Sequence, residues 1–218
     1  MKFPRLRRFT VRIRDFTLAL AALVLLLPLM GAIGLIVVVE SGRPMVFRQW
    51  RVGRNRKPFE IWKFRTMRPS PDSSSVTIRA DARVTSVGRF LRKYKLDELP
   101  QLLNVLRGDM QVVGPRPDVP EMVDRWPEEL ATLVLSTEPG LSDPASLHFR
   151  DEADLIPSDV DAEAFYTSFI MPTKLDLSAN YVLERSHMTD VSVICQTLVA
   201  AVFPRSFSCR CSLCRGKK

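Results

Sequence analysis

Residues 16–39, FTLALAALVLLLPLMGAIGLIVVV, carry no charged side chain. A membrane helix needs about 20 apolar residues in succession, so this run is long enough to be one. Its flanks constrain it further. Lys2, Arg5, Arg7, Arg8, Arg12 and Arg14 precede it, and Arg43, Arg48, Arg51, Arg54, Arg56 and Lys57 follow it. Positive charge is retained on the cytoplasmic side of a membrane, so both ends ask for the same side. Pro28, in the middle of the run, removes a helical hydrogen bond and crowds the preceding turn, which favours a bend. Gly31 and Gly34 ease such a bend. These residues leave two arrangements open: a re-entrant helix that leaves on the side it entered, or a spanning anchor, since proline is tolerated in spanning helices. A cleaved signal peptide fits poorly, because the run is too long and no clear small-residue cleavage site follows it.

With 218 residues the chain can hold one modest domain plus an anchor. The formal net charge of +8 is unevenly spread. Residues 1–117 hold 23 Lys and Arg against 8 Asp and Glu, and residues 118–190 hold 4 against 16. A basic front half suits anionic partners such as lipid headgroups or nucleotides. No nucleic-acid-binding motif accompanies it, so nucleic acid is not an expected partner.

The pattern after the apolar run predicts a mostly helical α+β domain with a short hairpin. Residues 45–50 and 59–66 have strand composition, joined through Gly53, Asn55 and Pro58. Residues 69–75 read as a loop. Residues 86–95 place Val87, Phe90, Leu91 and Tyr94 at helical spacing, with Ser86 as the expected N-cap. Another helix is expected to start at Asp97, with Leu99, Leu102, Leu103 and Leu106 as its apolar stripe, and to end at Gly108 before a short strand. Residues 118–136 read as helical with an interruption near Pro127, and residues 137–160 as acidic and loop-rich. Two more helices are expected at 173–186 and 190–203. The domain boundaries implied are 1–41 for the basic N-terminus and membrane helix, 42–203 for the cytosolic domain, and 204–218 for a basic tail.

The chemistry concentrates in residues 97–117, DELPQLLNVLRGDMQVVGPRP. At a helix start the Asp97 carboxylate could simply cap backbone N–H groups. The same position favours an ionised acid and attracts phosphate, and an ionised Asp can attack phosphorus. Two anions need a cation between them, and Glu98 suits Mg²⁺, which takes one or two carboxylates plus phosphate oxygens. Gly114-Pro115-Arg116-Pro117 brackets an arginine with two prolines, which fixes a guanidinium suited to bidentate phosphate binding. A structural turn with a solvated arginine is the other reading of that loop.

In this order these residues resemble the bacterial sugar transferases, the monotopic phosphoglycosyl transferases that begin glycan assembly on polyprenyl phosphate. The likeness runs from Asp15 through Lys63-Phe64-Arg65-Thr66-Met67, Gly88-Arg89-Phe90-Leu91-Arg92 and Leu96-Asp97-Glu98-Leu99-Pro100-Gln101-Leu102. It continues through Gly108-Asp109-Met110 and Gly114-Pro115-Arg116-Pro117 to Pro139-Gly140-Leu141 and the helices between Tyr181 and Leu198. The resemblance implies transfer of a phosphosugar from a UDP-sugar to undecaprenyl phosphate, with release of UMP. By motif position Asp97 matches the nucleophile and Glu98 the Mg²⁺ ligand. Lys63 and Arg92 match basic residues near the phosphates, and Pro115, Arg116 and Pro117 match the loop that contacts the nucleotide. Pro28 matches the proline that breaks a re-entrant helix, which places the chain on the bacterial cytoplasmic membrane with its catalytic domain in the cytoplasm.

Departures from the family pattern are specific. Leu27 stands where the family has Ser, the segment Gly140–Ser146 is altered, Ser178 replaces an Asp, and Arg150 aligns only weakly with a basic position. They leave open a catalytically inactive, membrane-docked interaction protein on the same scaffold. Cys209, Cys211 and Cys214 are spaced unlike common zinc sites and read as reduced thiols in a basic tail lying against anionic lipid.

Overall fold

The apolar run forms the middle of one helix, α1 (Arg5–Ser41), in a computed structural model that describes residues 5–68, 81–150, 155–157 and 160–203. The expected loop at 69–75 and the tail with Cys209, Cys211 and Cys214 lie outside the described residues. The chain is helical on both sides of Pro28. One stripe of α1 faces inward at helical spacing. Ala19, with Ala22, Leu23 and Leu26, packs on Ile61, Leu102, Val105 and Met110. Ile33 and Val37, with Met30, pack on Phe64 and Leu91. The opposite face stays open: Val24, Leu25, Leu27, Leu35 and Val39 are 61–80% exposed, an apolar surface that lipid would cover.

Polar bonds tie both ends of α1 to the rest of the chain. The Arg12 guanidinium donates to the carbonyls of Val105 and Leu106, at the last turn of α3 (Leu102–Arg107), where a cation offsets the helix dipole. Gly108 follows with φ 93°, and a Cβ there would stand 3.3 Å from that guanidinium. Buried Asp15 accepts from the Val112 N–H at 3.1 Å. At the far end Glu40 accepts from the Val87 N–H at 3.1 Å, and Arg65 donates to the carbonyls of Ser41 and Gly42. Gly34 leaves room for Met45, whose sulfur would be 2.7 Å from an added Cβ, whereas Gly31 meets nothing.

The expected hairpin forms from β1 (Val46–Val52) and β2 (Pro58–Phe64), antiparallel, with Val46 opposite Phe64 and Val52 opposite Pro58. Its turn holds Asn55 and Arg56 at positive φ. Helix α2 (Ser86–Lys93) is capped by Thr85 rather than by Ser86: the Thr85 hydroxyl accepts from the Gly88 N–H at 2.9 Å. Gly88 meets the backbone of Thr66 so closely that a Cβ would lie 2.2 Å from its carbonyl oxygen. This contact closes α2 onto the chain leaving β2.

The helix expected from Asp97 begins earlier and in another form. Lys95 turns the chain with φ 57°, and a 3-10 helix spans Leu96–Gln101 before α3. Asp97 therefore sits inside the first turn and is not its cap. Strand β3 (Gln111–Val113) pairs in parallel with β4 (Gly140–Ser142), a second small sheet absent from the sequence reading. Gly140 and Gly114 are in backbone contact there, and a Cβ on Gly140 would lie 2.0 Å from the Gly114 nitrogen. Helices α4 (Pro120–Val123) and α5 (Glu128–Val134) flank Pro127 as expected.

The segment read as loop also holds α6 (Pro144–His148), whose start is built by Asp143 accepting from the Ala145 and Ser146 N–H groups. An Asp N-cap before a proline in the first turn is the local rule that applies here. Helix α7 (Ala162–Phe165) passes through a π-helical stretch, Tyr166–Ile170, into α8 (Met171–Glu184), and α9 (His187–Val202) follows a Ser186–Thr189 capping box. The two expected C-terminal helices are thus present, each beginning a few residues early. The fold is mostly helical with a small hairpin, as expected.

Candidate active site

The end of β2, the 3-10 helix and the Gly114–Pro117 loop meet at one carboxylate. Glu98 is buried. Its Oε1 lies 3.2 Å from Lys63 Nζ and 2.5 Å from Arg116 Nη2, and its Oε2 lies 3.2 Å from Arg116 Nη1. The Arg116 contact is the two-pronged pairing that a planar guanidinium favours. Burial pushes the Glu98 carboxyl upward, but Arg116 and Lys63 together outweigh it and hold it well below the usual carboxylate range. Burial also lowers the Lys63 ammonium to about 8, against the pull of Glu98.

Asp97 is its opposite. It is also buried, yet its Oδ1 has no hydrogen-bond partner among the described residues. Burial first, and Glu98 second, raise its carboxyl, while Lys63, Lys95 and Arg92 oppose them. Two adjacent acids thus carry opposite biases. One is ionised and fully held, and the other has a free oxygen with raised basicity. Neighbouring carboxyls with separated proton affinities are the usual basis for dividing chemical roles.

The remaining predicted residues fall around this pair. Arg92 donates from Nε to Thr66 Oγ1 at 2.9 Å, and its charge acts on Asp97. The Pro115 carbonyl accepts from the Gly140 N–H at 2.9 Å, and the Pro117 carbonyl from Arg51 Nη1 at 3.4 Å. Pro28 lies within α1. Arg150 donates to the carbonyls of Lys93 and Ala200, joining α2 to α9. Ser178 is buried on α8. The altered segment 140–146 supplies β4 and the buried Asp143 cap.

Arg51 was not foreseen at the site. Its charge reads in sequence as part of the membrane flank, yet the fold turns it toward Arg116, Glu98 and Asp118. Alternation along β1 was the available signal, since Gln49 and Arg51 pair across the hairpin with Ile61 and Phe59, on the side that carries Lys63.

The family model described as bacterial sugar transferase matches residues 6–204. The chain belongs to the bacterial sugar transferase family. Among its relatives, the UDP-glucose:undecaprenyl-phosphate glucose-1-phosphate transferase of Escherichia coli is 33% identical over 196 residues, covering 88% of this chain and 40% of that protein. The enzyme of the same name from Caulobacter vibrioides is 49% identical over 108 residues, covering 49% of this chain and 40% of that one. The UDP-N-acetylgalactosamine-undecaprenyl-phosphate N-acetylgalactosaminephosphotransferase of Aeromonas hydrophila is 38% identical over 138 residues, covering 62% of this chain and 33% of that protein. The matched part thus spans between a third and two fifths of the length of these curated relatives. In this sugar transferase family member, the family match encloses the Lys63–Asp97–Glu98–Arg116 group and nearly all of α1.

Proposed function

We propose that this chain transfers a sugar-1-phosphate from a UDP-sugar to a polyprenyl phosphate, such as undecaprenyl phosphate, in two steps through Asp97. In the first, the free Asp97 oxygen attacks the phosphorus that bears the sugar. The bond from that phosphorus to the bridging oxygen breaks, and UMP leaves with the electron pair. In the second, a phosphate oxygen of the polyprenyl phosphate attacks the same phosphorus and expels the Asp97 carboxylate. The product is a polyprenyl diphosphosugar, the start of a glycan. The observation that carries this reading is the buried, unpartnered Asp97 Oδ1 beside a Glu98 that Lys63 and Arg116 hold ionised. Lys63, Arg92 and Arg116 would face the donor's phosphates, and Pro115 and Pro117 would fix the loop that delivers Arg116. An inactive scaffold would have no need to keep this group intact.

Mg²⁺ belongs to the same proposal. Among the described residues no cluster of three or more His, Cys, Asp or Glu could cage an ion. The donor set that is present, Glu98 with the free Asp97 oxygen beside it, fits Mg²⁺, which completes its shell with water and phosphate oxygens. Glu98 would hold it, and it would supply charge neutralisation to the pyrophosphate.

The site's setting is the cytoplasmic face of the bacterial inner membrane, with α1 re-entrant and anionic lipid against the basic surface. Supporting this, α1 is long and apolar enough to cross a membrane, yet Arg12 near its start and Glu40 at its end bond to one and the same domain.

Intact-protein mass spectrometry of the chain with a UDP-sugar and no lipid acceptor tests the covalent step. The expected result is UMP release and a phosphosugar mass that peptide mapping places on Asp97. Asp97→Asn should lose the adduct and turnover while still binding UDP-sugar, because it removes the nucleophilic charge and little volume. An adduct on another residue, or near-normal turnover by the variant, overturns the mechanism. A screen of UDP-sugars for UMP release in the same format identifies the sugar.

A further inference from the structure

The loop that delivers Arg116 is held from the hairpin by one side chain. Arg51 Nη1 donates to Asp118 Oδ1 at 3.1 Å and to the Pro117 carbonyl at 3.4 Å, and its Nη2 donates to Gln49 Oε1 at 2.7 Å. The main chain reinforces the contact, since the Val52 N–H donates to the Asp118 carbonyl at 2.9 Å. The Asp118 carboxylate also accepts from the Val119 N–H at 2.9 Å, which orients it. The chain immediately after Arg116 is therefore bonded to β1 by both side chain and backbone. Arg51 keeps its Nε buried with no hydrogen-bond partner among the described residues, and the charges of Arg116 and Glu98 both act on it. Burying a second guanidinium beside Arg116 is unfavourable unless an acid compensates it, and Asp118 is that acid. The unfavourable juxtaposition is explained if the fork of Arg51 has a geometric task.

We infer that Arg51, with Gln49 and Asp118, is a positioning residue for Arg116: its planar fork locks Pro117–Asp118 so that the guanidinium one residue earlier is already in place for the donor's pyrophosphate. This rests on the functional reading above, which has Arg116 binding that pyrophosphate. Only a fork that donates to three acceptors at once can do it, so a lysine of equal charge should not substitute. Fixing a binding group in advance gains affinity by reducing what must be ordered on binding.

The test is UDP affinity in the presence of Mg²⁺, measured by titration calorimetry on the full chain, together with KM and kcat for UMP release. Arg51→Lys should bind UDP about tenfold more weakly, a change of about 1.4 kcal/mol, with KM raised more than kcat is lowered. Gln49→Ala removes one acceptor from a half-buried strand position and should produce a smaller loss of the same kind. Its mildness keeps the question open should Arg51→Lys fold poorly. The deciding readout is a double-mutant cycle. In an Arg116→Gln background neither substitution should weaken UDP binding further. Additive losses there, or a Gln49→Ala and Arg51→Lys pair that both bind UDP like the wild type, overturn the inference while leaving the functional reading intact. A wild-type chain that neither binds UDP nor releases UMP from any UDP-sugar overturns that reading, and the inference with it.

Discussion

At the residue scale, Glu98 is shared between two claimants. Lys63 and Arg116 both pair with it, and the proposed function asks the same two cations to face phosphate. Donor phosphates that share those two cations would weaken their hold on Glu98 and favour a divalent ion there. Metal and nucleotide should therefore bind cooperatively, each strengthening the other by the same factor. Mn²⁺ titration followed by electron paramagnetic resonance should show tighter Mn²⁺ binding with UDP present than without it. Arg116→Gln should tighten Mn²⁺ binding in the absence of UDP, because it removes a competitor. Treatment with EDTA should abolish UMP release and Mg²⁺ should restore it, and Glu98→Gln should cost orders of magnitude in rate. Equal Mn²⁺ affinity with and without UDP would contradict this account. The acid pair and Arg116 were legible in sequence because they are close together in one segment. Arg51 was not, because its role depends on which hairpin face turns toward the loop.

At the element scale, the C-terminal helices hold the strand that leads into the arginine loop. Arg185, at the end of α8, donates to Thr137 Oγ1, to Gln111 Oε1 at 2.6 Å and to the Val113 carbonyl at 3.0 Å. Asp190 of α9 takes contacts from Arg185, from the Tyr181 hydroxyl at 2.6 Å and from Arg14 of α1 at 2.9 Å. Burial raises the Asp190 carboxyl, but Arg185 and then the Tyr181 hydroxyl outweigh it and leave it below its ordinary value. An acid with a lowered native value stabilises the fold above its unfolded value, about 3.9, and that stabilisation is lost as pH falls through the native value. Asp190→Asn removes the buried charge that pairs with Arg185 and, beside Asp15, with Arg14, and should cost about 3–5 kcal/mol at neutral pH. In urea unfolding the gap between variant and wild type should shrink as pH falls from about 4 through the lowered native value of Asp190, where the folded wild-type acid also becomes neutral. A gap that does not change with pH would refute the electrostatic account. None of this network was visible in sequence, since its members come from α1, β3, α8 and α9.

At the scale of the whole molecule, the inward stripe of α1 packs on the domain from Ala19 to Val37 while its other face is open. A helix bonded to one domain near both ends is poorly suited to leaving one of them across a bilayer. Cysteine-accessibility labelling should find the N-terminus and the C-terminal end of α9 on the same, cytoplasmic side. Pro28→Leu restores a helical hydrogen bond and removes a clash, so it should shift part of the population toward a spanning arrangement with an accessible N-terminus outside. Wild-type chains with their two ends on opposite sides would refute the re-entrant reading.

What the amino-acid sequence determined by itself is what depends on neighbours along the chain. The uncharged run 16–39, the hairpin around Asn55, the interruption at Pro127 and the Asp97-Glu98 and Pro115-Arg116-Pro117 pairings are all of that kind. Each follows from local periodicity, from proline and glycine geometry, or from adjacent side chains. The tertiary structure decided the rest. It moved the helix start ahead of Asp97 and so left an oxygen of that acid without a hydrogen-bond partner among the described residues. It paired β3 with β4 through two glycines 26 positions apart, Gly114 and Gly140. It also turned Arg51 from a flanking charge into a contact of the arginine loop. The physical reason is the same in each case: burial and ion pairing depend on distances in space, and the spacing of residues along a chain does not set those distances until the helices and strands have packed.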